Sequence, residues 1–202
     1  MYKEFLTRQN VIGILDRHNV PRFMDYLSID IDSQDLWILH EIIGPSSNYR
    51  PRVISIEYNS HFPLAATMSV PPAEENEIPL GWDGFDVLYG ASAGAIKVIA
   101  NMHGYEVVHM IYTFDMFLVR KDLLDGACPP KFASFSKKSA PIHFCVQTPA
   151  RRNQWIDVPT YLSTQNISTA KLAAREAMLL YYNPFSEVYY SSSDCLGFDG
   201  FY

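Results

Sequence analysis

DYLSIDIDSQDLWILHEIIG, residues 25–44, decides the fold. In DYLSIDID (25–32), Leu27, Ile29 and Ile31 alternate with Ser28, Asp30 and Asp32. Alternation of this kind is the period of a β-strand with one buried face. From residue 34 the period changes. Leu36, Ile38, Leu39, Ile42 and Ile43 predict a helix over 34–43, with Ser33 as its cap and Gly44-Pro45 as its stop. RVISIEYN (52–59) follows as a second strand, with Val53, Ile54 and Ile56 on its buried positions. Strand, helix and strand in this order predict a parallel pair joined by a right-handed crossover.

Working outward, EFLTRQNVIGILDRH (4–18) predicts an amphipathic helix carrying Phe5, Leu6, Val11, Ile12 and Leu15, with Pro21 beyond its end. Residues 60–89, with Pro63, Pro71, Pro72, Pro79 and the acidic Glu74, Glu75 and Glu77, read as a long loop of the kind that serves as a lid or binding segment. A further helix is expected from Ala91 to His103, closed by Gly104. YEVVHMIYT (105–113) and DMFLVRKD (115–122) are two strands with almost nothing between them, and so short a link makes a hairpin. The fold class is therefore α/β, with a mixed sheet whose last strand is antiparallel. Residues 1–125 form this unit. Residues 126–202 read as an irregular extension with one helix near 169–182, Ser168 capping it and Asn183-Pro184 ending it.

Apolar residues make up 48% of the 202 positions and charged ones 19%, the balance of a folded globule. The net charge of −6 disfavours nucleic acid and anionic membranes as partners, since there is no overall positive field to attract phosphates. Three cysteines, Cys128, Cys145 and Cys195, without a C-x-x-C spacing suggest neither a disulfide framework nor a thiolate metal site, and fit a reducing, cytoplasmic setting. No signal peptide and no run long enough for a membrane span is visible.

Carboxylates collect where such sheets bind ligands, outside the carboxyl ends of the strands. Asp30 and Asp32, with Asp35 one turn on, follow the first strand, and Glu57 and Asn59 follow the second. Hard oxygen ligands in this arrangement suit a divalent metal such as Mg²⁺ or Ca²⁺, or supply a general base. The plain alternative makes Asp32 a helix cap and Asp35 a wet surface residue. Asp30 and Glu57 resist that reading, because a carboxylate inside a sheet is costly unless paired or used.

YLSIDIDSQDLWILHEI (26–42), RPRVISIEYNSHFP (50–63), WDGFDVLYGASAGAIKVIANMHGYEVV (82–108) and FLVRKDLL (117–124) together resemble the C-terminal half of an FkbM-like class I methyltransferase, in order over about residues 10–125. The resemblance implies a partial Rossmann-like sheet that serves S-adenosylmethionine, with an antiparallel last strand. It places Asp30 and Asp32 at the end of the fourth strand, beside the donor and a small-molecule substrate, and Glu57 and Asn59 at the end of the fifth. Ser33-Gln34 stands where the family pattern has Gly-Asn. The glycine-rich loop that grips the donor would precede residue 1, so the chain reads as the last four strands of a seven-stranded sheet. On that reading it does not bind the donor well alone, and a missing N-terminal half or another protein partner completes the sheet.

One motif points elsewhere. GASAG (90–94) fits the G-x-S-x-G nucleophile elbow and resembles the elbow of patatin-like hydrolases, with Ser92 as nucleophile and Asp199 of the Asp199-Gly200 pair as base. Yet the glycine-rich oxyanion loop that patatins place upstream is absent, since residues 1–80 hold only Gly13 and Gly44. The expectation is that Ser92 helps start a helix. A non-catalytic interaction module, with the aromatic tail as its contact surface, is the non-enzymatic alternative. Of the six histidines, only His61 is expected near the cleft.

Overall fold

The structure is a computed structural model and describes residues 4–60, 62, 64–73, 90–111, 114–124 and 155–181. Its elements run α1 (Val11–Arg17), β1 (Tyr26–Ile29), α2 (Asp35–Ile43), β2 (Val53–Glu57), β3 (Met68–Ser69), α3 (Ala93–Met102), β4 (Tyr105–Met110), β5 (Asp115–Arg120), a 3-10 turn (Lys121–Leu123), β6 (Ile156–Asp157), α4 (Val158–Thr164) and α5 (Ile167–Tyr181).

β1 and β2 are parallel, with Tyr26 opposite Val53 and Ile29 opposite Ile56. The helix between them is α2, as the change of period predicts. Seven of its nine residues are buried, leaving His40 and Glu41 toward the surface. A helix apolar on nearly every side belongs in a core. Its one indole also finds a polar partner there, the Trp37 Nε1–H donating to the Val70 carbonyl at 2.8 Å.

β4 and β5 form the expected hairpin, with a bulge between Val107 and His109. The strand order is β1-β2-β5-β4. β5 pairs with β2 as well as with β4, antiparallel to both. Among the described residues β5 is thus the one strand of this sheet that runs against the others, and it lies inside, with β4 at the edge. Ile54 and Ile56 of β2, Met116 and Leu118 of β5, and Tyr105 and Val107 of β4 are all buried in one core with α2 and α3. Ser55 is buried too, and its hydroxyl links Tyr26 and Ser28 of β1 at 2.7 and 3.1 Å.

A second, two-stranded sheet pairs β3 with β6, Met68 opposite Asp157 and Ser69 opposite Ile156. Residues 155–164 therefore correct the irregular reading of 126–167, since they hold β6 and α4. Asp157 opens α4 by accepting the Thr160 N–H at 2.9 Å, and a proline stands in the first turn. The start of α5 is also corrected: Asn166, not Ser168, provides the capping oxygen, which accepts the Thr169 N–H at 3.0 Å. α1 is shorter than predicted. Thr7 and Asn10 exchange side-chain to main-chain hydrogen bonds of 2.8 and 3.2 Å, which fold residues 7–10 into a turn before the helix. Most of the 60–89 loop, and the tail with Asp199, lie outside the described residues. No helix among the described residues is long and apolar enough to cross a membrane.

Candidate functional site: a carboxylate cluster at the strand ends

β1 stops at Ile29, three residues short of the predicted strand end, and the reason is Asp35. Its carboxylate accepts the Ile31 N–H at 2.9 Å and the Ser33 N–H at 3.0 Å. These main-chain donors are thereby taken from any strand pairing and folded into a tight loop. Asp32 sits in that loop in the left-handed region, at φ 57°, a conformation that Asp tolerates better than most residues. Both plain alternatives are corrected: Asp32 caps no helix, and Asp35 is 1% exposed rather than on a wet face. Ser33 does not cap α2 either, whose N-cap is Gln34, without a side-chain capping bond.

The loop delivers Asp30 and Asp32 to Glu57. Ile29 pairs with Ile56, so Asp30 leaves β1 level with the last residue of β2. Carboxylate oxygens of Asp30, Asp32 and Glu57 lie within 4.8 Å of one another. Asp30 and Asp32 are exposed and Glu57 is half-buried. Asp115, the first residue of β5, pairs directly with Glu57. Sequence reasoning passed over Asp115. The hairpin held the signal, because an antiparallel strand begins at the sheet end where its parallel neighbours finish.

Gathering these charges has a cost that the carboxyls register. Burial, then the charges of Asp35, Asp30, Asp32 and Asp115, push Glu57 up from its ordinary 4.5 to about 7. Burial and the neighbouring Asp30 also raise Asp115. Asp35 is raised chiefly by its burial, against the opposing pull of the Ile31 and Ser33 amides. Among the described residues no Lys, Arg or His forms an ion pair with Asp30, Asp32, Glu57 or Asp115. The cluster therefore lowers its charge either by holding a proton on Glu57 or by taking up a cation.

Asn59 belongs to the wall of this region. It is buried, and its main-chain N–H donates to the Ala91 carbonyl at 2.8 Å, tying the end of β2 to the GASAG segment. His61, expected near the cleft, lies outside the described residues.

Ser92 caps α3. Its hydroxyl is fully buried, donates to the Ala66 carbonyl at 2.6 Å and accepts the Met68 and Ala95 N–H groups at 2.9 and 3.2 Å. A nucleophile needs a free hydroxyl in a cleft with a base in reach, and every one of these partners is main chain. The two glycines of the motif have their own structural reasons. Gly90 takes a φ of +58°, and a Cβ on Gly94 would stand 2.2 Å from the Ala66 carbonyl oxygen.

Comparison with protein-family models, with curated proteins and with solved structures finds no match for this chain.

Proposed function

We propose that this chain is a methyltransferase-like α/β module whose strand-end carboxylates, Asp30, Asp32 and Glu57, bind a divalent cation and through it the polar end of a small-molecule substrate. The observation that carries the reading is the convergence of three carboxylates from two neighbouring parallel strands to within 4.8 Å. The antiparallel β5 supports the family part of the proposal, because the resemblance implies an antiparallel last strand. Three oxygens all within 4.8 Å of one another leave a point no more than about 2.8 Å from each, close to the 2.3–2.6 Å at which oxygen ligands hold Ca²⁺.

S-adenosylmethionine is the cofactor that the resemblance implies. The residues at these strand ends do not suit it: its methionine carboxylate would meet Asp30, Asp32, Glu57 and Asp115, and no glycine-rich loop accompanies them among the described residues. The proposed activity of this chain is therefore binding.

Terbium luminescence tests the site, since Tb³⁺ seeks the same oxygen ligands as Ca²⁺. The expected result is saturable binding competed by Ca²⁺, weakened at least tenfold in Asp30→Asn and in Glu57→Gln. Binding that both variants leave intact would overturn the cation site. Calorimetry with S-adenosylmethionine tests the family reading separately: no micromolar binding is expected, and finding it would overturn the reading that these strand ends do not suit the donor.

A further inference from the structure

His40 and His103 are far apart in sequence and meet from two different helices. His40 lies in the last turn of α2, and His103 is the C-cap of α3. The Nδ1 of His40 and the Nε2 of His103 are 3.0 Å apart, and the ring centroids are 5.1 Å apart. Both residues are half-buried and open to solvent. Burial is the main reason that both imidazoles are held neutral: it lowers His40, and with the charges of His40 and Arg50 it brings His103 down to about 4. Neutral imidazole is the metal-binding form.

We propose that His40 and His103 form a two-imidazole chelate for a divalent transition metal, bridging α2 and α3. Three features support it. With metal–nitrogen distances of about 2.05 Å, nitrogens 3.0 Å apart subtend about 94° at the ion. That is close to the right angle between neighbouring ligands of a tetragonal Cu²⁺ or Ni²⁺ ion. Tetrahedral Zn²⁺ needs about 3.3 Å between the same atoms. The second feature is the helix ends: both rings stand at helix C-termini, where the peptide dipoles place partial negative charge and favour a cation. Third, among the described residues neither ring is tied to a carboxylate, and the bridging nitrogens bond to each other.

The charges around the pair set a moderate affinity. Glu41 draws a cation toward His40, while Arg8 and Arg50 oppose it. The Arg50 guanidinium is itself fixed on the carbonyls of Ile43, Ser47 and Tyr49. No third carboxylate, thiol or imidazole joins the two rings among the described residues, so water fills the remaining positions. In the metal-free pair one imidazole donates its bridging N–H to the other. Metal binding uses both lone pairs, so the donor ring must carry its proton on its other nitrogen instead. At neutral pH, where both rings are uncharged, this exchange releases no net proton, and protons compete with the metal only as pH falls.

The test uses the full chain with Ni²⁺ and Cu²⁺ as probes. Ni²⁺ at about a hundredfold excess over its Kd is expected to raise Tm by about 5–10 °C. In chains carrying Glu57→Gln, which disables the acidic site, the rise should persist, and adding His40→Gln or His103→Gln should abolish it. Bound Cu²⁺ should give an electron paramagnetic resonance spectrum with two equatorial nitrogens. It should also quench Trp37, whose ring centroid is 6.4 Å from that of His40. If a histidine variant fails to fold, the copper spectrum of the unaltered chain still decides the matter. A Tm indifferent to Ni²⁺, a rise that survives both histidine variants, or a Cu²⁺ spectrum with fewer than two nitrogens would each overturn the proposal.

Discussion

Replacing Glu57 by Gln removes the acid at the centre of the carboxylate cluster while keeping its shape. In the folded chain Glu57 holds its proton up to about pH 7, against an ordinary value of 4.5. Its folded pKa is raised, so the folded state binds more protons than the unfolded state between those two values, and stability falls as pH rises through that window. Below pH 4.5 Glu57 is protonated in both states and carries no penalty. Above pH 7 the penalty is complete. Fully shielded from water, the displacement would correspond to about 3.4 kcal/mol. Glu57 is half-buried at a strand end, where solvent screens it, and about 1–2 kcal/mol is the realistic size. Urea unfolding at pH 4.5 and pH 8, without divalent metal, measures this directly. Glu57→Gln should match the natural chain at pH 4.5 and exceed it by about 1–2 kcal/mol at pH 8. The difference between the two chains isolates Glu57 from other titrating groups. Equal stability at both pH values, or a variant weaker at pH 8, would refute the electrostatic account of the cluster. Added Ca²⁺ should shrink the gap at pH 8, because it neutralises the carboxylate that the variant lacks.

Other outcomes follow from the packing. Gly94→Ala places a methyl 2.2 Å from the Ala66 carbonyl oxygen and should destabilise by about 2–4 kcal/mol, whereas Gly13→Ala, with nothing within 4 Å on an exposed helix face, should stabilise by up to about 1 kcal/mol; chemical denaturation of the pair measures both. Ser92→Ala strips the Met68 and Ala95 amides and the Ala66 carbonyl of a buried partner and should cost about 2–4 kcal/mol in the same assay. A fluorophosphonate probe should leave the natural chain unlabelled at Ser92, and labelling that vanishes in Ser92→Ala would revive the hydrolase. The histidine pair has the opposite pH signature to Glu57. The pKa of His103 is lowered on folding to about 4, so its contribution is complete above about pH 6.5 and is lost as pH falls toward 4. Acid unfolding should be shallower over that window in His103→Gln.

The sheet was legible wherever the chain obeys one period. Leu27 and Ile29, then Leu36 to Ile43, then Val53 to Ile56 follow strand, helix and strand patterns, and the observed elements lie within a few residues of them. The errors fall where a side chain competes for the backbone. Ile31 continues the alternation of β1, but its N–H belongs to Asp35. Phe5 and Leu6 extend the apolar pattern of α1 toward the N-terminus, but Thr7 and Asn10 close a turn there. β3 and β6 hold two residues each, too few to show any period, whereas the Asp157-Val158-Pro159 start of α4 was readable. At the site, Asp30 and Glu57 could be placed from strand register alone. The buried, amide-clamped state of Asp35 could not, because its carboxylate closes a loop only three-dimensional structure reveals.

The small β3–β6 sheet bears on how the chain folds. β1-α2-β2 and the β4–β5 hairpin each join near neighbours, and such contacts close quickly because little chain entropy is lost. The Thr67 hydroxyl reaches the Asp157 carboxylate, at 2.6 Å, across 90 residues. The Val158 N–H donates to the Thr67 carbonyl at 2.8 Å, and Asp157 also starts α4. Two residues of strand pairing thus clasp the distant segment that carries α4 and α5 onto the rest of the fold, with far fewer ladder bonds than the main sheet has. Exchange of amide hydrogens should register it: the amides of α4 and α5 should open together at lower free energy than those of β2 and β5, and Asp157→Ala should widen that gap without unfolding the main sheet.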